Sequence, residues 1–251
     1  MKKVIYLLVA IIFNSCTNST DDIDVLKYSE NDLIPLSDSM ENLYYNDAAF
    51  IEFGEVIKDT TKRINQVILD EDAILSFYED LLYIYNNSFR FSNSFFEYAS
   101  SLHSHDAITL YQITVSVDTN KSWASNWKNG IKYTGLKEID SLVDNYNLEI
   151  HLMLESDSIY LYEVKSRAPI NYLSLMHKFQ MTSEFIYVEP TVLVGGGSSI
   201  SFKADNTDRY YRYNYGWGDC PSGCVNYHYW IVRLKDNEIV LAEEGGNTLN
   251  N

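Results

Sequence analysis

Cys220-Pro221-Ser222-Gly223-Cys224, followed by Val225-Asn226-Tyr227-His228-Tyr229-Trp230, is the stretch whose residue types and spacing best suit chemistry. Three readings compete. A disulfide would pin a loop between two strands, since Pro221 and Gly223 are turn formers and an oxidising compartment favours the bond. So short a closed loop gains little chain entropy, so the bond's use would be to fix the loop's conformation. A redox-active pair is the second reading, but C-x3-C is not the C-x-x-C of thioredoxin-type sites. The third is zinc held by Cys220, Cys224, His228 and a fourth ligand, for which a second ligand pair is lacking. Trp217, Asp219, His228 and Trp230 surround the cysteines and are the candidate loop-site residues. The disulfide is the preferred reading, and no cofactor is expected.

Elsewhere the signals are weaker. His103-Ser104-His105-Asp106 is a compact polar cluster that could touch a metal; a loop between a helix and a strand is the simpler reading. Trp123 and Trp127, four apart, could stack on a sugar or another flat ligand, but such pairs are more often packed over a core. Gly195-Gly196-Gly197-Ser198-Ser199 lacks the Gly-Lys-Ser/Thr ending of a phosphate loop and reads as a flexible linker or turn. No Gly-x-Ser-x-Gly, His-Glu-x-x-His or Walker motif is present, so no residue is named as catalytic. The chain is too rich in carboxylates to pair any two as glycosidase groups, because their separation in space decides that chemistry.

The N-terminus carries a different kind of information. Lys2 and Lys3 precede an apolar run, Val4 to Phe13, and then Asn14-Ser15-Cys16. The run is too short to span a bilayer but suits the core of a signal peptide. The segment resembles a bacterial lipoprotein signal, with Phe13-Asn14-Ser15-Cys16 as the lipobox. Phe stands where Leu is usual and Asn where a small residue is usual, a relaxed form similar to those of Bacteroidota. The resemblance implies cleavage before Cys16, diacylation of that cysteine, and a stable lipid anchor in the cell envelope, most simply in the outer membrane. Residues 1–15 are then the signal and 16–30 an acidic tether. Asp21 and Asp22 resemble a surface-export signal of such lipoproteins. An ordinary secretory signal with a chance cysteine is the alternative.

The 251-residue chain carries 19 basic and 35 acidic residues, a net charge of −16, which becomes −18 once Lys2 and Lys3 are removed. Such a chain has no basic field for phosphates, so a nucleic-acid partner is not expected. Hydrophobic residues make up 46%, too many for a disordered chain. The acidity is uneven: residues 21–106 hold 18 acidic and 5 basic residues, and residues 107–251 are far closer to balance. Solvated helix faces explain this more simply than a binding surface for a cationic partner.

The charge break coincides with a change of hydrophobic period. Residues 31–106 read as helical. Phe50, Phe53, Ile57, Thr61, Ile64 and Ile68 recur at spacings of three and four. Asp70 is placed to cap a helix with Ile74, Phe77, Leu81, Leu82 and Tyr85 on one face. Ser92 is placed to cap a third, with Phe95, Phe96, Ala99 and Leu102 inward. Residues 107–194 read as α+β. Tyr111, Ile113, Val115 and Val117 alternate as a strand, and 118–130 is loop-like. A helix follows with Leu136, Ile139, Leu142, Val143 and Tyr146 inward. Strands span 148–154 and 159–164. Pro169 is placed to start a helix containing Ile170, Leu173, Leu175, Met176 and Phe179, and a strand at 185–188 is limited by Pro190. Residues 195–251 read as a β-meander, with strands at 209–215, 227–234 and 239–243. The fold class expected is α+β: a helical region, a ferredoxin-like segment and a C-terminal meander.

Tyr160-Leu161-Tyr162-Glu163-Val164, a helix, and then Phe185-Ile186-Tyr187-Val188-Glu189-Pro190 together resemble the subtilisin propeptide family, the I9 inhibitors with a ferredoxin-like fold. The match covers roughly 55 residues. It implies a protease inhibitor as one alternative, although in that family the chain after the last strand enters the protease site, and here it continues into Thr191-Val192-Leu193-Val194. The Gly218-Asp219-Cys220-Pro221-Ser222-Gly223-Cys224 run with His228-Tyr229-Trp230 resembles a C-terminal motif of uncharacterised secreted and lipid-anchored bacterial proteins. The expected function is a lipid-anchored envelope protein with a non-enzymatic binding or structural role. Its partners would be the membrane, through the N-terminal lipid, and a protein or small-molecule ligand. A thiol or metal site at the cysteine loop is the other alternative.

Overall fold

A computed structural model describes residues 36–99, 102–104, 108–192, 197–220, 223–235 and 238–249. The signal segment, Cys16 and the tether lie outside the described residues, as do His105, Asp106, Pro221 and Ser222.

Helix α1 (Asp38–Lys58) has Asp38 and Glu41 in its first turn and Lys58 in its last, each complementing the helix dipole. It buries Tyr44, Ala48, Ile51 and Val56. The stripe expected from sequence, Phe50 to Ile68, is not the buried one. Phe50 and Phe53 only flank the core, and Ile64 and Ile68 are 43% and 38% exposed. The cause is Asp59, whose carboxylate accepts from the backbone N–H groups of Thr61 (2.8 Å) and Lys62 (3.0 Å). That cap ends α1 and starts a separate short helix, α2 (Thr60–Asn65), so no single face runs through both.

Asp70 caps α3 (Glu71–Asn87) as expected, accepting from Asp72 N at 3.0 Å. Ile74, Leu81, Leu82 and Ile84 are buried, with Phe77 and Tyr85 packed beside them. Ser92 Oγ accepts from Phe95 N at 3.3 Å and opens a π-helical turn, Phe95–Ala99. The wider turn keeps Phe95 and Ala99 inward, while Phe96 faces solvent at 53% exposure.

The next segment is ferredoxin-like. Strand β1 (Ile108–Asp118) is followed by α4 (Ala124–Lys128), α5 (Lys137–Asn145), β2 (Glu149–Glu155), β3 (Ile159–Lys165), α6 (Tyr172–Met181) and β4 (Tyr187–Val192). The sheet order is β2-β3-β1-β4, antiparallel throughout. Ile113, Val115, Val117, Tyr162 and Val164 meet Ile139, Val143, Leu175 and Phe179 in one core.

Three local expectations are corrected. Helix α6 starts at Tyr172 rather than at Pro169, because the fully buried Asn171 is its cap. Asn171 Oδ1 accepts from Ser174 N at 3.2 Å, and its Nδ2 donates to the Arg63 and Gln66 carbonyls at 3.0 Å, satisfying the end of α2. Pro190 lies inside β4 opposite Ile113; β4 is an edge strand, where a missing N–H is tolerated. The segment read as a loop contains α4.

The meander is β5 (Ser199–Asp205), β6 (Asp208–Trp217), β7 (Asn226–Lys235) and β8 (Glu238–Gly246), paired in that order. Its inner face, with Tyr211, Tyr213, Trp230, Val232 and Leu234, packs on Tyr44, Ile74, Leu81 and Phe95 of the helical region. The first and last thirds of the chain therefore share one core, and the ferredoxin-like segment between them has its own. No helix among the described residues is long and apolar enough to cross a membrane.

Candidate functional site

Two buried polar clusters fix the meander against the helices and so set the position of its cysteine loop. Arg209 Nη1 lies 3.0 Å from Asp80 Oδ2, with both side chains at most 6% exposed, and the Tyr211 hydroxyl donates to the same carboxylate. Burial, the Asp80 charge and the bond to Asp80 push the Tyr211 phenol well above its ordinary range. In the second cluster, Asp47 on α1 holds His103 Nδ1 at 2.7 Å and accepts from Ser104 N at 2.6 Å. Ser104 Oγ in turn accepts from Ile200 N on β5 at 3.1 Å.

From this anchored sheet, β6 and β7 stay paired out to Trp217 and Asn226. Beyond them Cys220 and Cys224 stand at disulfide distance, with Cα atoms 4.0 Å apart. Gly197 and Gly216 lie against this pair. A Cβ on Gly197 would overlap Cys224 Sγ, and one on Gly216 would overlap the Gly197 carbonyl and stand 2.8 Å from that sulfur. The end of the glycine run read as a flexible linker is thus a close backbone approach that only glycine permits. Gly195 and Gly196 lie outside the described residues.

The four loop-site candidates divide by depth. Trp230 is fully buried, edge-on to Phe95 at 6.2 Å, with Nε1 donating to Ser94 Oγ at 3.3 Å. His228 is buried: Nδ1 is 2.7 Å from the Asn247 carbonyl and Nε2 is 3.2 Å from Glu244 Oε1. Both ring nitrogens are thus turned to partners within the sheet end. Trp217 is half-buried and Asp219 is exposed. Trp217 ends an aromatic ladder that climbs out of the core. Trp230 stacks with Tyr98 at 6.4 Å, Tyr98 meets Tyr215 at 5.5 Å, and Tyr215 stacks with Trp217 at 5.4 Å.

Glu244, exposed on β8 opposite Trp230, is a polar hub beside the inner end of this ladder. It accepts from Ser94 Oγ at 2.5 Å and from Ser92 Oγ at 3.1 Å, besides facing His228. Burial pushes its carboxyl up, but the hydrogen bonds from Ser94, His228, Ser92 and Trp230 outweigh it and hold the group below its usual range. Nucleophilic catalysis needs the imidazole beside the hydroxyl, with the carboxylate behind it. Here the carboxylate sits between Ser94 and His228, so His228 does not reach the Ser94 proton. Both His228 nitrogens are also turned to Asn247 and Glu244 rather than to Cys220 and Cys224. Among the described residues no group of three or more His, Cys, Asp or Glu side chains could hold a metal ion.

Sequence reasoning missed Tyr98, Tyr215, Glu244 and Asn247. Tyr215 was readable, being two residues before Trp217 on the same strand face. Glu244 carried no local signal, since its serine partners are about 150 positions away. The other candidates lie apart. Trp123 and Trp127 pack edge-on at 5.3 Å, only 5% and 4% exposed, with their indole N–H groups donating to Glu184 and to the Lys132 carbonyl. They offer no open face to a flat ligand. His103 is committed to Asp47, with Tyr44 edge-on to it at 4.8 Å. Compared with protein-family models, curated proteins and solved structures, the chain matches none.

Proposed function

We propose that this chain is a lipid-anchored protein of the bacterial cell envelope, held in the outer membrane through Cys16, with a binding rather than a catalytic role. Its recognition surface is the cysteine-clipped end of the meander. The observation that carries this reading is the ladder Trp230–Tyr98–Tyr215–Trp217, which brings aromatic surface from a rigid core to a loop held by Cys220 and Cys224. Rigid aromatic groups that lose little freedom on binding are favourable contact residues for a protein or small-molecule partner. A disulfide at Cys220–Cys224 suits the oxidising envelope that a lipoprotein occupies. Palmitate labelling in cells tests the anchor: label on the wild type and none on Cys16→Ser supports it. Label on both, or on neither, contradicts it.

The ferredoxin-like topology favours a second reading, an I9-like protease inhibitor. Incubation of the full chain with a subtilisin-type protease tests it, and undiminished proteolysis at micromolar protein removes it.

A further inference from the structure

The outer face of the meander, turned away from the helices, holds a depression of about 420 Å³. Strand pairing defines its groups. Lys203 on β5 stands opposite Tyr210 on β6, and Tyr210 stands opposite Arg233 on β7. Arg212 is two residues beyond Tyr210 on the same strand face, opposite Ser201. One tyrosine therefore has three cations around it, on a chain whose net charge is −16. Directly opposed side chains on a sheet face lie within contact reach.

Arg233 is paired with Asp208 at 3.8 Å, and Asp208 also accepts from the Tyr210 hydroxyl at 3.4 Å, so the cations available at the depression are Arg212 and Lys203. Among the described residues no carboxylate lies within ion-pair distance of Arg212 or Lys203. Arg212 is held in place: its guanidinium sits 4.0 Å over the Tyr229 ring, and its Nε donates to Asn214 Oδ1 at 2.8 Å. The Tyr229 hydroxyl donates in turn to Glu243 at 2.5 Å. The outer guanidinium nitrogens remain to receive an anion, in the planar fork that suits a carboxylate. Glu243, Asp205 and Ser201 also line the depression and supply oxygen acceptors. A simple anion gains nothing from those two carboxylates. A ligand with hydroxyl groups does, because hydroxyls donate to them.

We propose that this depression binds an acidic sugar unit: its carboxylate on Arg212 and Lys203, its ring against Tyr210, and its hydroxyls on Glu243, Asp205 and Ser201. The site is separate from the clipped loop and does not depend on that loop's role.

Calorimetric titration of the full-length chain in detergent, at low ionic strength, tests it with glucuronate, glucose and acetate. Glucuronate is expected to bind with a Kd of about a millimolar, at least roughly tenfold tighter than either glucose or acetate. Arg212→Gln and Lys203→Gln are each expected to weaken glucuronate by about tenfold, and added salt to weaken it further. Among the described residues Lys203 has no ion-pair partner, so its variant keeps the test valid should Arg212→Gln disturb the fold. Equal affinity for glucuronate and glucose overturns the proposal, as does equal affinity for acetate, absence of binding, or binding unchanged in Lys203→Gln.

Discussion

Replacing Asp80 by alanine is expected to separate the helices from the meander more effectively than any surface change. Asp80 lies on α3 and its partners Arg209 and Tyr211 lie on β6, on the far side of the ferredoxin-like segment in sequence. The substitution leaves a guanidinium that is 6% exposed without its counter-charge and the Tyr211 hydroxyl without its acceptor. Among the described residues Arg209 Nη2 already lacks a hydrogen-bond partner, so the loss of Asp80 leaves the guanidinium further unsatisfied. Breaking a buried pair from one side costs about 3–5 kcal/mol. For a chain of this size that is a fall in Tm of roughly 6–20 °C. Exchanging both partners, Asp80→Leu with Arg209→Met, is expected to cost much less, because no buried charge remains. Urea denaturation followed by fluorescence gives all three values. Trp230 reports the shared core, while Trp123 and Trp127 report the ferredoxin-like core. The loss is expected in the Trp230 transition. A cost below about 1 kcal/mol for Asp80→Ala, or a double variant no more stable than the single one, refutes the buried lock.

Three further outcomes follow from the same physics. Burial, with the Asp70 charge nearby, raises the Glu52 carboxyl from 4.5 to about 7, so the folded state holds an extra proton between those values and loses stability as the pH rises through them. Glu52→Gln should therefore stabilise the protein by up to about 3 kcal/mol at pH 8 and by little near pH 4, checked by urea midpoints at both pH values. Glu244 titrates the other way: its lowered carboxyl contributes stability that is present at neutral pH and lost as the pH falls through the folded value. Glu244 is exposed, so Glu244→Gln should cost only about 0.5 kcal/mol at pH 7, and less as the pH falls, by the same assay. Cys220→Ser with Cys224→Ser should cost about 2 kcal/mol or less, because the loop is short, and the denatured, unreduced wild type should show no reactive thiol from this pair in a thiol titration.

How much of this was legible in the sequence depends on the range of the interaction. Asp70 was readable as a cap because its partners are two and three residues away. The alternation through Ile113, Val115 and Val117 was readable because a strand with one buried face imposes period two. The α1 stripe misled for a local reason, the cap at Asp59, which outweighed a periodicity continuing in sequence beyond it. Strand β5 alternates Ile200, Phe202 and Ala204, but the adjoining glycines favoured a linker, until the contact of Gly197 with Cys224 gave that glycine another cause. The cysteine loop announced itself by residue type. Its supports, Tyr98 on the π-helical turn and Glu244 beneath Ser92 and Ser94, meet it only through tertiary packing. The shared core of the chain's two ends follows from contacts such as Asp80 with Arg209, which no window of sequence contains.

The proposed recognition surface is tested most directly by placing a photo-crosslinking side chain at Trp217 in the full-length chain in living cells, with a second at Lys178 on α6 as a control. The account predicts a discrete adduct from position 217, absent from position 178 and lost when Cys220 and Cys224 are both replaced by serine. No adduct from 217, or the same adduct from both positions, contradicts it.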